Sequence, residues 1–132
     1  MHVLLVDDDE NILFAVTCGL EVEGFRVESV MEGRRAIGMI QRRRPDVVVL
    51  DISLKDINGI ALASMMRESW PDLPIIFATG HHKYDGLEAM QETPRTATLR
   101  KPYPMSELVL KIGRVTRRAP EASIEARNER RA

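Results

Sequence analysis

Apolar positions along this chain fall into two patterns, short unbroken runs and longer stretches with helical spacing. Val3-Leu4-Leu5-Val6, Val47-Val48-Val49-Leu50 and Ile75-Ile76-Phe77-Ala78 are apolar throughout. Such runs predict strands covered on both faces, which places them at the centre of a parallel sheet. Phe25 to Ser29 alternates apolar and polar residues, and Thr96 to Arg100 carries polar ones. Those two are predicted edge strands.

Helical spacing fills the intervals. Ile12, Leu13, Val16 and Leu20 predict a first helix, ended by Gly24 at a position that favours glycine. Ala36, Ile37, Met39 and Ile40 predict a second, stopped before Pro45. A third runs from about Gly59 to Ser69 with Ile60, Leu62, Ala63 and Met66 inward, closed by Trp70-Pro71-Asp72. Tyr84 to Glu92 is a short, weakly patterned fourth, broken by Pro94. The fifth extends from Met105 to about Arg118 on the stripe Leu108, Val109, Ile112 and Val115. Alternating strands and helices give an α/β fold, a doubly wound parallel sheet of five strands with five helices. Right-handed crossovers, with the polar strands at the edges, leave the order 2-1-3-4-5.

Four of the five strands end on chemistry. The first runs into Asp7-Asp8-Asp9, the third into Asp51, the fourth into Thr79 and the fifth into Lys101-Pro102. In an open parallel sheet the ligand site lies outside the carboxyl ends of the strands. The topology therefore gathers an acidic pair, a lone carboxylate, a hydroxyl and an ammonium.

Composition narrows the setting. At 132 residues the chain has room for one domain, and 44% hydrophobic content makes it globular rather than disordered. The net charge of -1 argues against nucleic-acid binding by the whole surface. Residues 114–132 nevertheless hold six Arg and three Glu, a local excess of +3. One cysteine, Cys18, excludes an internal disulfide; it is expected to be core-facing or half-buried and inert. No signal-peptide core or membrane-length apolar run is present, so a cytoplasmic protein is expected. The domain is expected over 1–118, followed by a flexible tail over 119–132.

Val6-Asp7-Asp8, Asp51 at the end of a Val-rich strand, Asn58-Gly59 opening the third helix, Thr79-Gly80 and Lys101-Pro102-Tyr103 occur in that order on those strand ends. Together they resemble the receiver domain of bacterial two-component response regulators over roughly residues 1–118. The resemblance implies a flavodoxin-like fold. The family's chemotaxis member has the same strand order. It also implies that Asp51 is the phospho-acceptor, a carboxylate acting as covalent nucleophile toward phosphorus. Mg2+ would be ligated directly by Asp8, Asp51 and the backbone carbonyl of Ser53, with Asp7 acting mainly through a water. Thr79 and Lys101 would contact the phosphoryl group, Lys101 first pairing with Asp51. The Lys101-Pro102 bond is expected to be cis. Asp9 is expected to cap the first helix, with Glu10 favouring its positive end.

The resemblance extends to partners: a histidine kinase or histidine phosphotransferase as donor, and a downstream protein, with neither direct DNA binding nor membrane contact expected. Nothing after Arg118 looks like an output domain, which suggests a stand-alone receiver; the alternative is a fragment of a larger regulator or hybrid kinase. One position departs from the family. The aromatic residue usual three places before the lysine is here Thr98, so a ring-rotation switch is not expected. Coupling is expected through Thr79, Lys101 and the loop Gly80 to Lys83. Pro74 to Gly80 is also similar to an alphaproteobacterial subgroup of single-domain receivers named for a Phe-Ala-Thr-Gly motif. Ser53 and His81 occupy positions that tune dephosphorylation in the family. His81-His82 otherwise reads as a solvated pair, and Arg42-Arg43-Arg44 as a solvated helix end. An ordinary enzyme fits less well. A haloacid-dehalogenase phosphatase needs Asp-x-Asp where this chain has Asp51-Ile52-Ser53, and Asp7-Asp8-Asp9 would repel a dinucleotide's pyrophosphate.

Overall fold

The computed structural model describes residues 1–80 and 93–117. Five parallel strands, β1 (His2–Val6), β2 (Arg26–Val30), β3 (Val47–Asp51), β4 (Ile75–Thr79) and β5 (Thr96–Arg100), form one sheet in the order β2-β1-β3-β4-β5. Four helices are found among the described residues: α1 (Glu10–Val22), α2 (Gly33–Arg42), α3 (Gly59–Ser69) and α4 (Met105–Thr116). The helix expected over Tyr84–Glu92 lies outside the described residues, as do His81, His82 and the tail expected from residue 119.

Strand side chains alternate between two cores, as a period of two requires. Leu4, Val6, Val48, Leu50, Ile75 and Phe77 point to one face, where Ala36 and Ile40 of α2 and Leu62, Ala63 and Met66 of α3 cover them. Val3, Leu5, Val47, Val49 and Ile76 point to the other, against Leu13, Val16 and Leu20 of α1 and Leu108, Ile112 and Val115 of α4. All residues of β1, β3 and β4 are buried, whereas β2 and β5 carry exposed positions. The apolar runs are central for the reason their sequence gives: both faces need apolar cover.

Helix ends follow their local chemistry. The Asp9 side chain accepts from the amides of Asn11 and Ile12, and that of Asn58 accepts from Ile60 and Ala61. Each satisfies amides that have no partner within the helix. At the far end of α1, Gly24 has φ +96, its amide donates to the Glu21 carbonyl, and the Phe25 amide donates to Leu20. This is the paired C-terminal motif that requires a left-handed residue. It consumes the Phe25 amide, so β2 begins at Arg26, one residue later than expected.

Cys18 corrects the sequence reading, because it is exposed. The inward stripe of α1 is Leu13, Val16 and Leu20. Cys18 instead falls on the opposite stripe with Phe14 and Val22, which are 73% and 85% exposed.

Candidate functional site

Register brings the strand ends together. Val6 pairs with Leu50, so the next residues, Asp7 and Asp51, emerge side by side from adjacent strands. Asp51 pairs with Ala78, and Thr79 with Arg100. Asp7 and Asp51 are buried, Asp8 is half-buried, and Thr79 is fully buried. One carboxylate oxygen from each of Asp7, Asp8 and Asp51 lies within 4.8 Å of the others. Three hard oxygen donors converging in this way suit a small divalent cation such as magnesium.

Backbone amides and one ammonium hold the carboxylates in place. Ser53 N donates to Asp51 Oδ1 at 3.1 Å, Asp9 N to Asp7 Oδ1 at 2.9 Å, and Lys55 N to Asp8 Oδ2 at 3.0 Å. Lys101 Nζ lies 2.7 Å from Asp7 Oδ2 and 3.5 Å from Asp51 Oδ2. The lysine therefore bridges both acids, with its short contact to Asp7 rather than to Asp51, the partner expected for it. Both acids are buried, so an unpaired charge at either would be costly. The Lys101 amide donates to the Thr79 carbonyl at 2.8 Å, which ties the ends of β4 and β5 together, and the Lys101-Pro102 peptide is cis.

Burial pushes the Asp51 carboxyl above its usual range. The Ser53 amide and the Lys101 charge pull in the opposite direction, and Asp7 adds to the rise. Burial comes first among the causes, ahead of the repulsion from Asp7. Ser53 itself is exposed at the rim.

Glycine permits the close approach of α3 to the acceptor. A Cβ built on Gly59 would collide with the Asp51 carbonyl oxygen and fall 2.7 Å from Ile52 Cα. The Gly59 amide donates to the Ile52 carbonyl at 2.9 Å. The Asn58-Gly59 pair thus supplies both the helix cap and the contact.

Two contributions could not be read from the sequence. The Tyr103 hydroxyl is pushed up to about 12 by burial, then by the charges of Asp7 and Asp51. It therefore remains protonated beside the acids. Asp56 turns away from the site and accepts from the amides of Gly33 and Arg34. No spacing marks either role, because each depends on segments brought together by the fold. Thr98 is half-buried on β5, where the family's usual aromatic residue would stand.

The chain matches the family description "response regulator receiver domain" over residues 3–113. It is 31% identical over 117 residues to the transcriptional regulatory protein PrrA of Mycobacterium bovis, covering 89% of this chain and 50% of that protein. Response regulator MprA of Mycobacterium leprae is 30% identical over 127 residues, with 96% and 56% covered. The chain spans about half the length of the curated relatives it matches. Among solved structures, a response regulator receiver protein from Sinorhizobium medicae superposes with a TM-score of 0.77 at 29% identity, covering 88% of this chain and 94% of that one. NtrX from Brucella abortus, in complex with ATP, superposes at 0.76 and 28% identity, over 87% of this chain and 26% of that one. No helix among the described residues is long and apolar enough to cross a membrane. Strand order, the acidic cluster with its bridging lysine, and the match over most of the sequence converge on one conclusion: this chain belongs to the response regulator receiver domain family.

Proposed function

We propose that this chain is a phospho-acceptor switch in which Asp51 takes a phosphoryl group from a phosphohistidine donor. The observation that carries the reading is the position of Asp51, at the end of a central strand with Asp7, Asp8 and Lys101 around it. An Asp51 carboxylate oxygen attacks phosphorus and forms the new O–P bond. The P–N bond to the donor imidazole breaks, and the departing nitrogen keeps the electron pair. Lys101, already 3.5 Å from Asp51 Oδ2, neutralises charge on a phosphoryl oxygen, and the Thr79 hydroxyl donates to another. Asp7, Asp8, Asp51 and the Ser53 carbonyl would hold a magnesium ion, which supplies positive charge to the transferring group. Tyr103, protonated at neutral pH, adds no further negative charge nearby.

The donor is a histidine kinase or a histidine phosphotransferase. The exposed Phe14 on α1 lines an open groove together with Asp8, Met31 and Met39, and offers apolar surface for its approach. Once formed, the aspartyl phosphate carries about -1.5 to -2 charges in place of the carboxylate's single one, and that added charge can bias a two-state element. With Thr98 in place of an aromatic ring, Thr79 and Lys101 carry the change; the coupling expected over Gly80 to Lys83 lies, beyond Gly80, outside the described residues.

A stand-alone receiver without direct DNA binding is one arrangement. The relatives favour a second, because the matching segment of PrrA, a transcriptional regulatory protein, is half of that chain. In that reading the chain would be the input part of a longer regulator. Sequencing the surrounding open reading frame distinguishes the two arrangements. The chemistry is tested by incubating the protein with a small phosphodonor and magnesium. The wild type should gain one acid-labile phosphoryl group, and Asp51→Asn should gain none. Equal labelling of the two proteins would refute the reading.

A further inference from the structure

Residues 52–58, between β3 and α3, are fixed at both sides. On the side of the acids, Ser53 N holds Asp51 Oδ1 and Lys55 N holds Asp8 Oδ2, at 3.1 and 3.0 Å. Two of the three clustered carboxylates thus take their orientation from this loop. On the other side, Asp56 Oδ1 accepts from Gly33 N and Asp56 Oδ2 from Arg34 N, each at 3.0 Å. These are the first amides of α2. Glu32, the residue at the cap position of that helix, makes no side-chain cap bond. The cap therefore comes from a loop more than twenty residues away in sequence.

Packing strengthens the same junction. A Cβ on Gly33 would meet Ile57, Leu54 and Leu62 side-chain carbons at 2.8 to 2.9 Å. The start of α2 thus lies directly on apolar side chains of the loop, Leu54 and Ile57, and on Leu62 of α3. The Asp56 carboxyl is held below the usual carboxylate range, first by the Arg34 amide, so the cap is ionised at neutral pH. A shift of the loop that reorients Asp8 or Asp51 must then move α2 with it or break the Asp56 bonds.

We propose that Asp56 is a positioning residue for the cation site, coupling occupancy of Asp7, Asp8 and Asp51 to the N-terminus of α2. The proposal rests on the reading that this acidic cluster binds magnesium. Coupling is reciprocal, so an ion that fixes the loop should tighten the α2 cap, and loss of the cap should weaken the ion.

The test is a titration of the full chain with magnesium, read by backbone amide resonances and amide exchange. In the wild type, exchange at Gly33 and Arg34 should slow as magnesium saturates, although neither residue is a ligand. Asp56→Ala should weaken magnesium affinity by roughly threefold to tenfold, a cap-sized effect, and should abolish the response of those two amides. Asp56→Asn, which retains an acceptor oxygen, should fall between wild type and Asp56→Ala. Adding Glu32→Ser to Asp56→Ala gives α2 a cap of its own. It should restore thermal stability and leave magnesium affinity weak. If that double variant recovers wild-type affinity, Asp56 serves the helix alone and the proposal fails. Unchanged exchange at Gly33 and Arg34 in magnesium-saturated wild type also overturns it, whatever the variants do. Wild type that binds magnesium while Asp56→Ala binds it equally well defeats the coupling and leaves the cation site standing. Folded wild type that binds no magnesium defeats both.

Discussion

Replacing Gly59 by alanine would put a methyl group where the structure has backbone. The new Cβ would overlap the Asp51 carbonyl oxygen and stand 2.7 Å from Ile52 Cα, against at least 3.4 Å for an ordinary contact. Neither atom belongs to a flexible side chain. The start of α3 must therefore retreat from the end of β3 by several tenths of an ångström, stretching the 2.9 Å bond from Gly59 N to the Ile52 carbonyl. Overpacking of this kind costs about 1–3 kcal/mol. Alanine recovers part of that through helix propensity, at most about 1 kcal/mol and less at a first-turn position. The net expectation is a loss of about 1–2 kcal/mol in urea unfolding, together with slower acceptance of phosphate because Asp51 is displaced. Gly38 and Gly113 provide the control. Both lie inside helices, and a Cβ at either meets nothing within 4 Å. Gly38→Ala and Gly113→Ala should each stabilise by about 0.5–1 kcal/mol. One substitution should thus have opposite signs at different sites. If Gly59→Ala is as stable as the wild type, or if it gains as much as the two controls, the close approach of α3 to Asp51 is wrong.

Asp51→Asn should stabilise the protein when no divalent cation is present. Burial raises the folded-state value of Asp51, so its proton helps at low pH and that help is lost as pH rises through the folded value. Thermal unfolding against pH should show the variant ahead near neutrality and the advantage vanishing below the ordinary value of 3.8; a constant difference would contradict this. Lys101→Met should destabilise by about 3 kcal/mol at neutral pH, because it strands the buried Asp7 carboxylate now 2.7 Å from the ammonium. An unchanged denaturation midpoint would show that solvent already reaches that pair. Arg67 donates to the carbonyls of Leu73 and Arg95 and to Thr96 Oγ1, joining α3 to the start of β5. Arg67→Leu should cost about 2–3 kcal/mol and speed amide exchange in β4 and β5, and exchange at the wild-type rate would argue against it.

The sequence yields what depends on local pattern. Apolar runs located β1, β3 and β4, and polar interruptions identified β2 and β5 as edges. The bounds expected for α3 match those observed, because Asn58 and Trp70 mark its ends chemically. The placement of Asp7, Asp8, Asp51, Thr79 and Lys101 at one edge of the sheet was legible because each stands at or just beyond a strand end, and a parallel sheet brings its carboxyl ends to one edge. Errors arose where a short-range signal was ambiguous. Phe25 fits an alternating strand as well as it fits the end of α1, and only its bond to Leu20 decides. Cys18 is small and apolar, yet the angle around α1 puts it outside with Phe14. The shorter contact of Lys101 with Asp7 than with Asp51 is set by the side-chain geometry of the folded site, which spacing does not encode. Asp56 capping α2 and Arg67 bracing β5 join residues 22 to 29 positions apart, so they become visible only once the chain has folded.

The central claim is that Asp51 forms a covalent bond to phosphorus. It is tested most directly by trapping the phosphorylated protein with a hydride reductant and mapping the modified residue by peptide mass spectrometry. Reduction of an aspartyl phosphate should leave its mark on Asp51 alone, dependent on both the phosphodonor and magnesium. A mark on Asp7 or Asp8, with Asp51 intact, would contradict the account.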